Sequence, residues 1–325
     1  MMMENSTTQS PPRLAADPGP NLWHRTRGFL VVAAALCLGF GGSLLDLLRF
    51  SINSDLYSHI LLVPAISAYL VWMDRQRLRR GFEPAKRVAL LLLLPGLALL
   101  AAYWLVRSAG WEPAGENDRL ALLTLSFLFC FASGFAWCYG GQILRSVAFP
   151  LAFLVFMVPF PVALENWLVA FLQHSSAEAS YLMLTGSGMA VFREGTQFTL
   201  PGVTIGVAPE CSGIRSSLVL FITGLLAAYF FLRRPWSRIL LAMLVVPLGI
   251  LRNAFRIFTL AQLAVHYNPD ILNSDLHHRG GPIFFVVSLA PFFLLIWLLR
   301  KGESRLDRNK ENGAKGMFPA PRPPS

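Results

Sequence analysis

Residues 208–234 read APECSGIRSSLVLFITGLLAAYFFLRR. A polar opening carrying Pro209, Cys211, Ser212 and Gly213 runs into an apolar stretch whose single charge before Arg233 is Arg215. About 20 apolar residues are what a helix needs to cross the hydrocarbon core of a bilayer. The paired arginines at its far end give it a direction. The stretch therefore predicts a membrane helix with a cysteine at one boundary, in the first helical turn. Exposed N–H groups and the positive end of the helix dipole would favour a thiolate there.

The rest of the chain agrees with a membrane setting. Of 325 residues, 54% are hydrophobic and only 14% are charged, against about 25% charged in soluble domains. The formal charge of +10 comes from clustered basic residues, which read as topology signals rather than a nucleic-acid surface. Cys37, Cys130 and Cys138 sit in or beside apolar runs, where a thiol is ordinarily a small inert hydrophobe. Their spacing matches no zinc site and no disulfide framework. No cofactor or metal pattern is expected.

Eight apolar runs are visible, at about 28–46, 59–73, 88–106, 120–138, 147–164, 211–232, 239–263 and 282–299. They predict an all-α integral membrane protein of about eight spans, occupying residues 23–302. The polar segments 1–22 and 303–325 read as disordered ends. The first run follows Arg25 and Arg27, is long and lacks a small-residue cleavage site, so it reads as an uncleaved anchor. Basic residues fill the loop after the second run and follow the fourth, sixth and eighth. With eight spans all these loops share one side, and the positive-inside rule places both termini in the cytoplasm. Arg107 and Arg119 are exceptions, in a loop that also holds Glu112, Glu116 and Asp118.

This orientation turns residues 46–58, 165–210 and 264–281 outward. Residues 164–185 mix Trp167, Leu168 and Phe171 with Glu165, Gln173 and Glu178, which suits a helix lying in the interface. Phe198, Leu200, Val203, Ile205 and Val207 then alternate about Pro201-Gly202, which predicts a short outward-facing β-hairpin leading to Cys211. Its free edge could receive an extended peptide by strand addition, or the hairpin could simply brace the helix.

Three distant residues converge on that outer face. Cys211 supplies a nucleophile. His277 supplies an imidazole that exchanges protons near neutrality. Arg256 supplies a permanent cation for an oxyanion or thiolate, in a span where charge is costly and usually functional. Structural readings stand beside these roles. Arg256 could pair with Glu210 or Glu194, and His277 or His278 could be interfacial. Arg215, four residues after Cys211, competes as thiolate partner. Arg252, four residues before Arg256, could snorkel or line the same stripe.

Taken together, the segments resemble the exosortase/archaeosortase family of membrane cysteine transpeptidases. Pro209-Glu210-Cys211-Ser212-Gly213-Ile214-Arg215-Ser216 resembles its cysteine motif, and Asn253-Ala254-Phe255-Arg256 its Asn-x-x-Arg motif. His277-His278-Arg279-Gly280-Gly281 resembles its His-x-x-x-Gly motif. Asp55-Leu56-Tyr57-Ser58-His59, followed by Leu62-Val63-Pro64, matches an N-terminal one. The resemblance spans about residues 50–300 in order. It implies Cys211 as nucleophile, Arg256 as essential cation and His277 as third member, with the doubled His278 beside it. Ser212, Arg215, Asn253 and His59 are supporting candidates.

The resemblance further implies a multi-pass protein of the bacterial inner membrane whose active site faces the periplasm or exterior. Its partners would be secreted proteins with a C-terminal PEP-CTERM-like signal: a short motif, a transmembrane helix and a basic end. A lipid or glycan would accept the cleaved product. Plain endopeptidase cleavage without transfer is one rival. A transporter or a non-catalytic scaffold in exopolysaccharide export is another, although the polar residues of interest gather toward one face rather than the midplane.

Overall fold

The computed structural model describes residues 22–75, 85–110, 115–268 and 281–317, with side chains through residue 308. The chain divides into two compact units, residues 1–161 and 162–325.

The first unit is helical throughout its described part. Helices α1 (Leu22–Gly39) and α2 (Gly41–Asn53) meet at a bend of 72°. The bend falls at Gly39-Phe40-Gly41-Gly42, where glycines impose the least backbone preference. The first apolar run is thus a broken helix rather than one straight span. A 3₁₀ turn (Ser58–Leu61) precedes α3 (Val63–Met73), which has only 11 residues. Next come α4 (Lys86–Ser108) and α5 (Glu116–Tyr139), then the short α6 (Gly141–Ser146) and α7 (Ala148–Phe153) and a 3₁₀ turn at Leu154–Met157.

Helices α4 and α5 pack through small residues that let their backbones approach. Ser126 Oγ donates to the Gly96 carbonyl (2.7 Å) and Ser133 Oγ to that of Ala89 (2.8 Å). A Cβ at Gly96 would stand 2.9 Å from the Cys130 sulfur, so Cys130 is part of this packing. Cys138 is half-buried, Cys37 is exposed, and all four cysteines are free thiols. The anomalous Arg119 is neutralised locally, 2.9 Å from Asp46 and 3.8 Å from Glu116. Arg107 donates to the Tyr103 hydroxyl (3.1 Å).

The second unit opens with α8 (Val162–Gly186) and continues into a three-stranded antiparallel sheet, β1 (Phe192–Glu194), β2 (Gln197–Leu200) and β3 (Val203–Gly206). The expected β2–β3 hairpin turns at Pro201-Gly202, with Leu200 opposite Val203 and Gly202 at φ +80°, the left-handed value that favours glycine. β1 is an added strand that the alternation did not reveal, because it is only three residues long. The alternating face is core: Phe198, Leu200, Ile205 and Val207 are buried with Ala177 and Leu184 of α8.

Helix α9 (Ile214–Phe231) then runs antiparallel to α10 (Pro235–His266), and α11 (Gly281–Met317) packs on both. Ile257 and Ala261 of α10 complete the core under the sheet. Leu220, Leu241, Val245 and Phe292 form a second core where α9, α10 and α11 meet. Ser176, Ala177 and Ser180 of α8 are buried, and Ser180 Oγ donates to Ser176 and, at 3.4 Å, to the Ala254 carbonyl of α10.

Among the described residues, five helices are long and apolar enough to cross a membrane (α4, α5, α9, α10, α11), or up to seven spans if two bent pairs each count once. The chain is a multi-pass membrane protein, but the expected runs 28–46, 59–73 and 147–164 are not single straight helices of spanning length. Residues 303–308 continue α11.

Candidate active site

The cysteine motif is positioned by the sheet on one side and by α10 on the other. The Val207 N–H donates to the Thr196 carbonyl (2.9 Å), and the Val207 carbonyl accepts from the Gln173 side chain of α8. The chain therefore leaves the sheet with both peptide groups of Val207 held. Pro209–Cys211 forms a 3₁₀ turn. The Cys211 N–H donates to Ala208 (2.8 Å) and the Ser212 N–H to Pro209 (3.1 Å). Gly213 follows at φ +78°, ψ 13°, and α9 starts only at Ile214.

Cys211 is consequently not in the first turn of α9, as its sequence neighbourhood suggests, but three residues ahead of it. Pro209 favours a tight turn, and the left-handed Gly213 re-aims the chain between cysteine and helix. Cys211 is half-buried against the Phe198, Val207, Ile257 and Ala261 core.

Helix α10 provides the other wall. The Asn253 amide Nδ2 donates to the Cys211 carbonyl (3.0 Å), and Asn253 is only 2% exposed. A Cβ at position 213 would lie 2.8 Å from Asn253 Cγ and 2.9 Å from its Oδ1. Gly213 thus serves both the turn and this close approach. Arg256 lies three residues beyond Asn253, on the same face of α10, and is half-buried. The cysteine motif and the Asn-x-x-Arg motif, more than 40 residues apart in sequence, are thereby one contiguous structure.

The family model for transmembrane exosortases matches residues 50–294, well over half of the chain. The chain belongs to the transmembrane exosortase family. Members of this family are generally membrane cysteine transpeptidases. No curated protein and no solved structure matches the chain.

In this exosortase the remaining candidates fall into distinct places. Ser212 is 1% exposed, and its Oγ accepts from the Ile214 N–H (3.4 Å), so it supports the start of α9. Arg215 is exposed at that start. His59 belongs to the first unit, where its Nδ1–H donates to the Leu56 carbonyl (3.1 Å). His277 and His278 lie outside the described residues. Among the described residues, no group of three or more His, Cys, Asp or Glu side chains gathers at metal-binding range.

Of its two readings, Arg252 takes the stripe shared with Arg256 and does not snorkel. It is 7% exposed and donates to Ser216 Oγ of α9. Beside it, a Cβ at Gly249 would come within 2.9 Å of Ser217 Oγ. The start of α9 is thus fastened to α10 at Gly213–Asn253, Ser216–Arg252 and Ser217–Gly249. The only hint in the sequence was polar residues inside apolar runs. Gln173 carried no hint at all, since its partner is a backbone carbonyl.

Proposed function

We propose that this chain is a protein-sorting transpeptidase in which Cys211 is the nucleophile, Arg256 the electrostatic partner and His277 the proton carrier. The observation that carries the reading is the Asn253–Cys211 hydrogen bond (3.0 Å), which joins the two motifs that the family's chemistry needs side by side. A buried amide holding the cysteine's own carbonyl restricts where the thiol can point, the positioning that nucleophilic catalysis demands.

In this reading the substrate is a secreted protein ending in a PEP-CTERM-like signal: a short motif, an apolar helix and a basic end. The Cys211 thiolate attacks the carbonyl of the scissile peptide bond. Arg256 stabilises the developing oxyanion. As the tetrahedral intermediate collapses, the C–N bond breaks and His277 gives its proton to the leaving amine. The acyl group stays on sulfur as a thioester. An amine or hydroxyl of a lipid or glycan acceptor then attacks the thioester carbonyl and loses its proton to His277, and the C–S bond breaks to release the Cys211 thiolate. Both termini face the cytoplasm of a bacterial inner membrane, with Cys211 toward the exterior.

The test is co-expression of a substrate, tagged after its signal, with wild type, Cys211→Ala, Arg256→Ala, His277→Ala and His278→Ala at matched levels. Wild type and His278→Ala remove the tag, and the other three leave it on. Processing by Cys211→Ala would refute the mechanism. The mass of the released product distinguishes transfer, which adds the acceptor, from hydrolysis, which adds only water.

A further inference from the structure

A cavity lies at the opposite end of α9 from the cysteine motif, where α9 ends, α10 begins and α11 leaves its apolar stretch. It has a volume of about 480 Å³ and is lined by Phe230, Phe231, Arg233, Arg300, Glu303, Ser304 and Asp307. Ligand clefts run from roughly 300 to 1,000 Å³, so the space suits a headgroup.

The charges in this cavity are not balanced against one another. Both Glu303 oxygens are occupied, accepting from the backbone N–H of Arg233 (3.1 Å) and of Arg234 (2.9 Å). Asp307 is paired with the Arg234 guanidinium. Arg238 is turned to backbone, donating to the Leu232 carbonyl (3.0 Å). The guanidiniums of Arg233 and Arg300 have no side-chain partner among the described residues, and both are exposed. Buried Glu303 is thus held by backbone and exposed Asp307 by Arg234, and among the described residues the two lining arginines have no acidic partner.

The surroundings are those of a membrane interface. Phe230 and Phe231 are 47% and 48% exposed, and Trp236 and Trp297 are 44% and 53% exposed. Lys301 sits 4.6 Å over the Trp297 ring. Aromatic and basic side chains collect where spans meet headgroups, with the basic excess toward the cytoplasm. Basic pockets between spans on that side hold anionic lipid headgroups.

We propose that this cavity binds the phosphate of an anionic phospholipid. Arg233 and Arg300 hold the phosphate, and the acyl chains lie along Phe230, Phe231 and the lipid-facing side of α11. The site is separate from Cys211, and the proposal does not depend on the sorting reaction.

The experiment is native mass spectrometry of the delipidated full-length protein, titrated with phosphatidylglycerol or zwitterionic phosphatidylcholine. The chains compared are wild type, Arg233→Gln/Arg300→Gln, Arg300→Lys and, as a control outside the cavity's lining, Arg145→Gln. Wild type retains one phosphatidylglycerol in preference to phosphatidylcholine. The double variant binds phosphatidylglycerol about thirtyfold more weakly, the fold-change for losing two basic contacts to an anionic headgroup. Arg300→Lys and Arg145→Gln keep the preference. Phosphatidylglycerol retention in the double variant equal to wild type overturns the proposal, as does equal binding of the two lipids by wild type. Inorganic phosphate alone is the further arm. If it displaces phosphatidylglycerol at millimolar concentration and raises the melting temperature as much as the lipid does, the site takes a soluble anion and the lipid assignment fails. A circular-dichroism melt of each variant confirms that the folded protein is being compared.

Discussion

Replacing Gly213 by alanine tests the geometry that joins the cysteine motif to α10. Two costs act at once. At φ +78° a side chain costs about 1–2 kcal/mol, because Cβ crowds the following carbonyl. The new Cβ would also stand 2.8 Å from Asn253 Cγ, 2.9 Å from Oδ1 and 3.2 Å from Cβ. Asn253 is almost wholly buried and cannot swing into solvent, so overpacking adds about 1–3 kcal/mol. Asn253→Ala alone leaves the Cys211 carbonyl without its amide, at about 1–3 kcal/mol. In the double variant Cγ and Oδ1 are gone and only the 3.2 Å contact remains. Most of the overpacking therefore vanishes, and the double variant falls short of the sum by about 1–2 kcal/mol. The assay is reversible SDS unfolding of the full chain in mixed micelles, followed by tryptophan fluorescence, for wild type, both single variants and the double. Additivity of the two single effects to within about 0.5 kcal/mol would show that Gly213 and Asn253 do not touch, and would remove the physical link between the motifs.

Three further outcomes follow from the same structure. Glu303→Ala removes the acceptor of two N–H groups at the start of α10 and should cost about 1–2 kcal/mol; Glu303→Gln, which keeps one acceptor oxygen, should cost less, and a detergent melt that ranks them otherwise contradicts the cap. Phe198→Ala, at the fully buried centre of the sheet core, should cost about 3–5 kcal/mol in the same SDS titration, and a loss below 1 kcal/mol would mean that the sheet does not pack on α8 and α10. Glu178→Gln, by contrast, breaks a pair with Arg193 whose acidic side chain is 61% exposed; it should cost less than about 1 kcal/mol, and a larger loss that persists in high salt would show a buried rather than a screened interaction.

Much of this molecule is local in character and was therefore legible in the sequence. Low charge and long apolar runs dictate a membrane protein, because a helix of about 20 apolar residues satisfies its own backbone in hydrocarbon. The alternation of Phe198, Leu200, Val203, Ile205 and Val207 about Pro201-Gly202 dictates a hairpin with one buried face, because strand side chains alternate with period two. The order and wording of the motifs around Cys211 and Asn253 point to the family that the chain belongs to.

Tertiary structure decided what depends on partners distant in the chain. Glycines at 39–42 break a run that hydropathy reads as continuous, since hydropathy carries no bend. Cys211 stands outside α9 because Pro209 and Gly213 set the backbone there and Asn253, on another helix, fills the space a Cβ would need. Arg252 is buried rather than snorkelling because Ser216 receives it. Glu303 is buried because the backbone N–H groups of Arg233 and Arg234, just ahead of α10, donate to its carboxylate. Periodicity specifies which side of an element is apolar; only packing specifies which element lies against it, and the partners of single polar side chains are settled at that second step.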